Sequence, residues 1–366
     1  MPLQEELLNI PGYEKVIKVV ESDSNLTAII AIHNTTLGPG LGGTRIYPYK
    51  NFQNALDDVL KLSKGMTYKA AIAQVGTGGA KSVIIADPQK EKTPELLTAF
   101  AQGVNRLRGE YICAEDVGCN PSDIQVILET TKYACGIQGL RGGGDPSVFT
   151  AYGTLLGIQS ALQRLDGSPS LEGKTVAIQG IGNVGKKLAE FLFWAGANLI
   201  ISDLNVDSIE LFAHQFNAKR VDSNEIFEVP CDVLSPCALG GIIHSQTISR
   251  FNCRAIAGCA NNQLFMETDA DLLTKRNILY APDFVINGGG LINVVNELCL
   301  EGYQATQARS MVQKIYHQLL KIYTIAEEEG ISTHQAAKNL AESYIEKKIG
   351  KRTQPLCFPL TPATCQ

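Results

Sequence analysis

The chain has 366 residues, with 32 Lys and Arg against 37 Asp and Glu and a formal net charge of −5. That balance gives no general attraction to nucleic acid or to an anionic membrane, so the expected partner is a small molecule. A composition of 45% hydrophobic and 19% charged residues excludes a largely disordered chain, and the length suffices for two domains with separate cores.

The N-terminus, Met-Pro-Leu-Gln-Glu-Glu, lacks the basic start and apolar core of a signal peptide, and no apolar run approaches the ~20 residues that span a bilayer. A cytoplasmic protein is expected. Apolar runs at 26–32 and 82–86 predict strands, while 54–63 and 94–107 carry apolar residues at helical spacing. Between them lies a segment that places Lys69 and Lys81 in glycine-rich, apolar surroundings, with glycines at 76, 78 and 79. Two readings stand. Both lysines could sit at strand ends with their heads in water. Alternatively, desolvation and a second nearby cation favour the neutral amine on one, which could exchange protons with a substrate while the other holds an anion.

The glycine and proline cluster at 139–147 predicts a hinge. The expected organisation is two α/β domains. The first covers 1–140 and is completed by a C-terminal helix at 331–352; the second covers 141–330; a loose tail follows at 353–366. Within the second domain the spacing predicts a helix at 150–164, a strand at 174–179, a helix at 186–194 and a strand at 198–203. Further alternation continues to about 290, and long helices follow at 310–328 and 334–348.

The strand at 174–179 feeds into Gly180-Ile181-Gly182-Asn183-Val184-Gly185, which opens a helix, and Asp203 ends the next strand. This full context is a dinucleotide fingerprint. Gly180 serves the tight turn, Gly182 lets backbone approach a pyrophosphate, and Gly185 lets the helix pack closely. Asp203 can accept from a ribose diol and repels a 2′-phosphate, and neither Leu204 nor Asn205 is a cation. NAD is therefore expected over NADP. The ten cysteines are too sparse for a disulfide scaffold. Cys231 and Cys237, and Cys253 and Cys259, are spaced six apart without a zinc pattern, so buried thiols and no metal are expected. The five histidines are scattered, and none stands out as a base.

Several longer stretches carry a resemblance. They are Thr-Thr-Leu-Gly-Pro-Gly-Leu-Gly-Gly-Thr-Arg at 35–45, Gly-Met-Thr-Tyr-Lys at 65–69, Gly-Gly-Ala-Lys at 78–81 running to Asp87-Pro88, and Ala-Glu-Asp-Val-Gly at 114–118. To these add the motifs at 235–241, 257–264 and 281–293. Together they resemble the glutamate, leucine, phenylalanine and valine dehydrogenases, most closely the branch acting on apolar side chains, and the similarity runs from about 27 to 346.

The resemblance implies reversible, NAD-dependent oxidative deamination of an apolar L-amino acid, leucine, valine or isoleucine first, to the 2-oxo acid and ammonia. It implies Lys69 for the substrate carboxylate, Lys81 as the catalytic lysine, and Asp116 for protons at the amino nitrogen. By composition alone, Asp116 could instead cap a helix beginning near Pro121. The resemblance places Leu41, Gly42, Ala114, Leu291 and Val294 at the substrate, and Thr150 and Asn262 near the nicotinamide and its ribose. The four side chains Leu41, Ala114, Leu291 and Val294 are all apolar, which argues against glutamate. Ala80, Asn261, Leu291 and Asn296 depart from the residues usual in leucine-specific members, leaving phenylalanine or tryptophan as an alternative. A homo-oligomer, octamer or dimer, is implied, as is closure about 142–146. Two other classes stay open: a hydroxy-acid or one-carbon dehydrogenase on a similar frame, and a non-catalytic sensor of NAD or an amino acid.

Overall fold

The computed structural model describes residues 3–136 and 142–358, with the backbone alone for 206–208. Within these the chain forms two units. One comprises Met1–Gly144, Asn293–Ala305 and Ala341–Gln366, the other Asp145–Ile292 and Thr306–Leu340.

In the first unit, strands β1 (Gln4–Leu8), β2 (Lys15–Glu21), β3 (Leu26–Asn34), β4 (Gly40–Tyr47), β5 (Gly78–Ile85) and β6 (Tyr111–Ala114) form one sheet. Their order is β1-β2-β3-β5-β4-β6. β1, β2, β3 and β5 pair antiparallel in turn, whereas β4 runs parallel to both β5 and β6. Helices α1 (Phe52–Ala73), α2 (Pro94–Arg106) and α3 (Pro121–Thr130) complete the layer. β3 from Ala28 to Ile32 and the end of β5 from Val83 to Ile85 read as continuous apolar runs because both faces are covered. Ile29, Ala31 and Val83 pack with Ala55, Leu56 and Val59 of α1. Ala28, Ile30, Ile32 and Ile84 pack with Leu96, Phe100 and Val104 of α2.

α1 is longer than the sequence pattern predicts. Asn51 caps it, accepting from the Asn54 N–H at 2.9 Å. The helix then runs past Gly65 to Gln74, whose φ of 52° ends it. A glycine weakens a helix by about 1 kcal/mol, but buried Ala70, Ala71 and Ile72 hold this one against the sheet. Lys69 therefore rides on a helix, not at a strand end.

The second unit contains α4 (Pro146–Asp166), β7 (Thr175–Gln179), α5 (Asn183–Trp194), β8 (Asn198–Ser202), α6 (Val206–Gln215), β9 (Lys219–Arg220) and β10 (Cys231–Pro236). It continues with α7 (Ser245–Ile248), β11 (Cys253–Ile256), α8 (Asp269–Lys275), β12 (Leu279–Tyr280) and α9 (Asp283–Ile286). Three helices follow: α10 (Gly289–Asn296), α11 (Ala305–Glu329) and α12 (Thr333–Glu346). The sheet order is β12-β11-β10-β7-β8-β9, and every pair is parallel. The order reverses between β7 and β10, which makes this a doubly wound sheet with a switch point beside the glycine turn.

The two units differ in detail from the expected organisation. The division falls between Gly144 and Asp145, and Asn293–Ala305 clusters with the first unit rather than the second. Glu297 is one reason, since its carboxylate accepts from the Gly136 N–H at 2.9 Å and the Gly143 N–H at 2.7 Å. α12 joins the first unit only from Ala341. The tail is not loose where it is described: the Cys357 N–H donates to Leu298 O at 3.0 Å, and the Phe358 ring stands edge-on to Tyr133 at 5.2 Å. Residues 359–366, and 137–141 within the expected hinge, lie outside the described residues.

Of the four spaced cysteines, Cys259 is buried, while Cys231, Cys237 and Cys253 are half-buried. Cys231 stands opposite Cys253 across β10 and β11, so the equal spacing reflects two strands in register. Among the described residues, no helix is long and apolar enough to cross a membrane.

Candidate active site

Lys81 lies within β5, its side chain only 8% exposed. A buried ammonium needs a counter-charge, and Nζ finds Asp116 Oδ2 at 2.5 Å. Asp116 follows β6 in a tight turn, in which its N–H donates to Cys119 O at 3.2 Å and the Cys119 N–H returns to Asp116 O at 2.9 Å. On its other side, Arg45 Nε of β4 lies 3.3 Å from the same Oδ2. Burial by itself would raise the Asp116 pKa, but Lys81 and Arg45 outweigh it and hold the carboxyl below its ordinary value. Asp116 is not the cap of α3. Asn120 fills that place, its side chain accepting from the N–H groups of Ser122 and Asp123.

The floor beneath this pair is a buried hydroxyl network. Ser82, next to Lys81, donates to Thr44 Oγ1 at 3.0 Å and meets the Tyr111 hydroxyl at 2.8 Å. Tyr111 in turn lies 2.9 Å from the Gly42 carbonyl. Three strands are thereby pinned in register, and Gly42 is required at its position because a Cβ there would stand 1.7 Å from Ala80 O. Leu41, Ala114 and Val294 are buried at 2%, 7% and 8% exposure, and Leu291 on α10 is half-buried. Lys69 is half-buried near the C-terminal end of α1. Two residues earlier on α1, Thr67 Oγ1 meets His33 Nδ1 at 2.8 Å, and burial, aided by Lys64, pushes the His33 pKa down.

In the second unit the glycine turn is closed by contact. Gly180 has φ of 99°, and a Cβ there would lie 2.7 Å from Ala238 Cβ; a Cβ on Gly185 would lie 2.0 Å from Gly180 O. Gly182, at the N-cap of α5, has nothing within 4 Å of where its Cβ would be, and no side chain caps the helix. Open space before uncapped N–H groups suits a pyrophosphate. Ile181, Asn183 and Val184 complete this turn. Asp203 is held in place by backbone: Oδ2 accepts from the Ile181 N–H at 2.7 Å and Oδ1 from the Asn205 N–H at 2.9 Å. Each oxygen keeps a second lone pair for a ribose hydroxyl.

Thr150 lies in the first turns of α4, where its hydroxyl donates to Pro146 O at 3.1 Å. A Cβ on Gly290 would meet that hydroxyl at 2.8 Å. Asn262 is exposed with φ of 51°, and its carbonyl accepts from the Gly241 N–H at 2.7 Å. Beside it, buried Asn287 donates to Asn261 Oδ1 at 2.7 Å and Cys259 O at 3.2 Å.

The structure thus joins Lys81 to Asp116, and Asp203 to the glycine turn. In the sequence Arg45 stands only as the end of one motif, and nothing local marks Asp58 or Tyr49. An arginine inside a glycine-rich, otherwise buried strand was the available clue.

An all-parallel doubly wound sheet with an open glycine turn, in a chain whose other unit buries a lysine–carboxylate pair, defines an α/β oxidoreductase of the dinucleotide-dependent dehydrogenase class. Residues 14–133 match the model of the Glu/Leu/Phe/Val dehydrogenase dimerisation domain. Residues 142–206 and 201–350 match that of the Glutamate/Leucine/Phenylalanine/Valine dehydrogenase domain. The chain belongs to this family and is an amino-acid dehydrogenase. It is 46% identical to the leucine dehydrogenase of Geobacillus stearothermophilus over 335 residues, 91% of each chain. It is 43% identical to the phenylalanine dehydrogenase of Caldalkalibacillus thermarum over 347 residues, 93% of each. The crystal structure of L-tryptophan dehydrogenase from Nostoc punctiforme superposes with a TM-score of 0.82 at 43% identity, covering 92% of this chain and 97% of that one.

Proposed function

We propose that the protein catalyses the NAD-dependent, reversible oxidative deamination of an apolar L-amino acid, leucine, valine or isoleucine first, to the 2-oxo acid and ammonia. The observation that carries this is the Lys81–Asp116 pair, 2.5 Å apart on a scaffold of three strands. A hydroxy-acid dehydrogenase has no need of a second proton carrier for nitrogen, and a pure sensor has no need to bury an ion pair.

Lys69 would hold the substrate carboxylate as a point charge with three donors. Asp116 would take a proton from the substrate ammonium. Lys81, neutral at this stage, would draw a proton from the water that adds to the imino carbon, Asp116 would return its proton to the nitrogen that leaves as ammonia, and the carbinolamine hydroxyl would then give its proton to the freed Asp116 carboxylate. The bound nicotinamide supplies the acceptor for the hydride from Cα. Gly180 to Gly185 would hold its pyrophosphate, Asp203 the adenosine ribose, and Thr150 and Asn262 the nicotinamide end. The Asp203 carboxylate, with no cation at Leu204 or Asn205, supports NAD over NADP.

Leu41, Ala114, Leu291 and Val294 offer no charge to a second carboxylate, which supports an apolar side chain. Relatives named for leucine, phenylalanine and tryptophan are 46%, 43% and 43% identical to this chain, so phenylalanine or tryptophan is the second reading. Pockets separate such neighbours by only ~1–3 kcal/mol per methylene. The match of 14–133 to a dimerisation domain supports a homo-oligomer, which light scattering would size.

The test is NADH formation at mildly alkaline pH with NAD and a panel of L-amino acids, repeated with Lys81→Ala. Turnover on an apolar amino acid, abolished in the variant and dependent on ammonia in reverse, is the expected result. Tight NAD binding without turnover on any amino acid would overturn the reading in favour of a sensor.

A further inference from the structure

The Lys81–Asp116 pair does not stand alone. Arg45 reaches two carboxylates at once: Nε lies 3.3 Å from Asp116 Oδ2, and Nη1 lies 2.9 Å from Asp58 Oδ2 on α1. The Tyr49 hydroxyl, in the connection from β4 to α1, donates to the same Asp58 oxygen at 2.5 Å. Burial, with the Asp58 hydrogen bond, pushes the Tyr49 pKa well up, so the phenol stays a donor. The sequence Lys81, Asp116, Arg45, Asp58 alternates in sign and sums to zero charge.

We propose that Arg45 is a positioning residue for the proposed proton transfer: anchored by Asp58 and Tyr49, it locks the Asp116 carboxylate toward Lys81 and supplies the second positive charge that tunes the pair's hold on its proton. The proposal rests on the functional reading above but concerns the electrostatics of the cluster itself. Arg45 is suited to the task because one planar guanidinium spans both carboxylates, Nη1 donating to Asp58 while Nε stands as an ion-pair contact, not a hydrogen bond, to Asp116. A lysine ammonium keeps the charge but concentrates it at one point on a flexible stem, without the fixed two-sided reach of the guanidinium. The groups acting on Asp116 are Lys81 from β5, Arg45 from β4, the Val117 N–H and the Cys119 thiol of its own turn, and Asp58 of α1 through Arg45. The Cys119 thiol is pushed up by burial and stays uncharged.

The signs follow from charge alone. Arg45→Gln leaves two carboxylates around one ammonium and raises the pair's affinity for a proton. Asp58→Asn leaves two cations around Asp116 and lowers it. A nearby unit charge moves such a group by about one pH unit or more.

The acid limb of kcat/KM should therefore move to higher pH by on the order of one unit in Arg45→Gln and to lower pH in Asp58→Asn. Arg45→Lys should keep the wild-type limb while kcat falls, since the charge survives and the two-sided grip does not. A substrate-free readout accompanies this: the pH dependence of acetic anhydride labelling at Lys81, read by peptide mass spectrometry. It should shift in the same opposed directions, with circular dichroism and oligomer size unchanged. Shifts of the same sign in both variants, or unmoved limb and labelling profiles, would overturn the proposal. If the wild type turns over no amino acid, the proposed function fails, and the labelling profiles still decide the role of Arg45.

Discussion

The two candidate sites are built on opposite plans. The dinucleotide turn is made of backbone: an uncapped helix start, a φ of 99° at Gly180, and a carboxylate held by two N–H groups. Its parts lie within residues 180–205. The lysine–carboxylate cluster is made of side chains from β4, α1, β5 and the turn after β6, spread from Arg45 to Asp116. A site of the first kind is a local conformation. A site of the second kind exists only once the sheet has brought distant residues together, so it fails piece by piece.

That difference can be broken first at Lys81. Lys81→Ala should lower kcat by roughly 10³-fold or more, within the range for loss of an acid–base group, while leaving NAD binding by calorimetry unchanged. Weakened NAD binding in this variant would show that the two sites are not separable. Gly180→Ala tests the other side. A Cβ there meets Ala238 at 2.7 Å in a left-handed conformation, so NAD affinity should fall by roughly 10–100-fold, with a strain cost of about 1–3 kcal/mol visible in Tm. Asp203→Asn should be milder. About one hydrogen-bonding charge is lost, near 1.4 kcal/mol or tenfold in KM for NAD, and NADP turnover should rise relative to NAD.

The smallest effect is the acid dependence of stability. The folded pKa of Asp116 lies below the ordinary aspartate value of about 3.9. Its stabilisation is therefore fully present above that value and lost as pH falls through the folded pKa. The Tm gap between wild type and Asp116→Asn should narrow as pH drops below about 4. A constant gap would mean that the carboxylate contributes packing rather than charge.

Much of the second unit was legible because its signals are local. The alternation of strand and helix, the glycine spacing and Asp203 are read within a single βαβ stretch, and the structure places them at the switch point of the sheet. The first unit was less legible. Gly65 hid the second half of α1, since only packing of Ala70, Ala71 and Ile72 against the sheet outweighs the glycine. The tail looked loose because prolines break periodicity, yet Cys357 and Phe358 are tied to Leu298 and Tyr133. Those partners lie far away in sequence, where no window reaches.

At the site, Lys81 and Asp116 could be singled out by their surroundings and by family resemblance, but their contact could not. The same holds for Arg45, Asp58 and Tyr49. By itself the sequence determined two α/β units and a dinucleotide turn and nominated candidate proton-carrying residues, because periodicity, backbone freedom and side-chain chemistry are local properties. The tertiary structure alone decided which charges face one another. An ion pair's strength depends on separation and burial, and both are set by how strands whose paired residues lie 38 and 71 positions apart in sequence stack in one sheet.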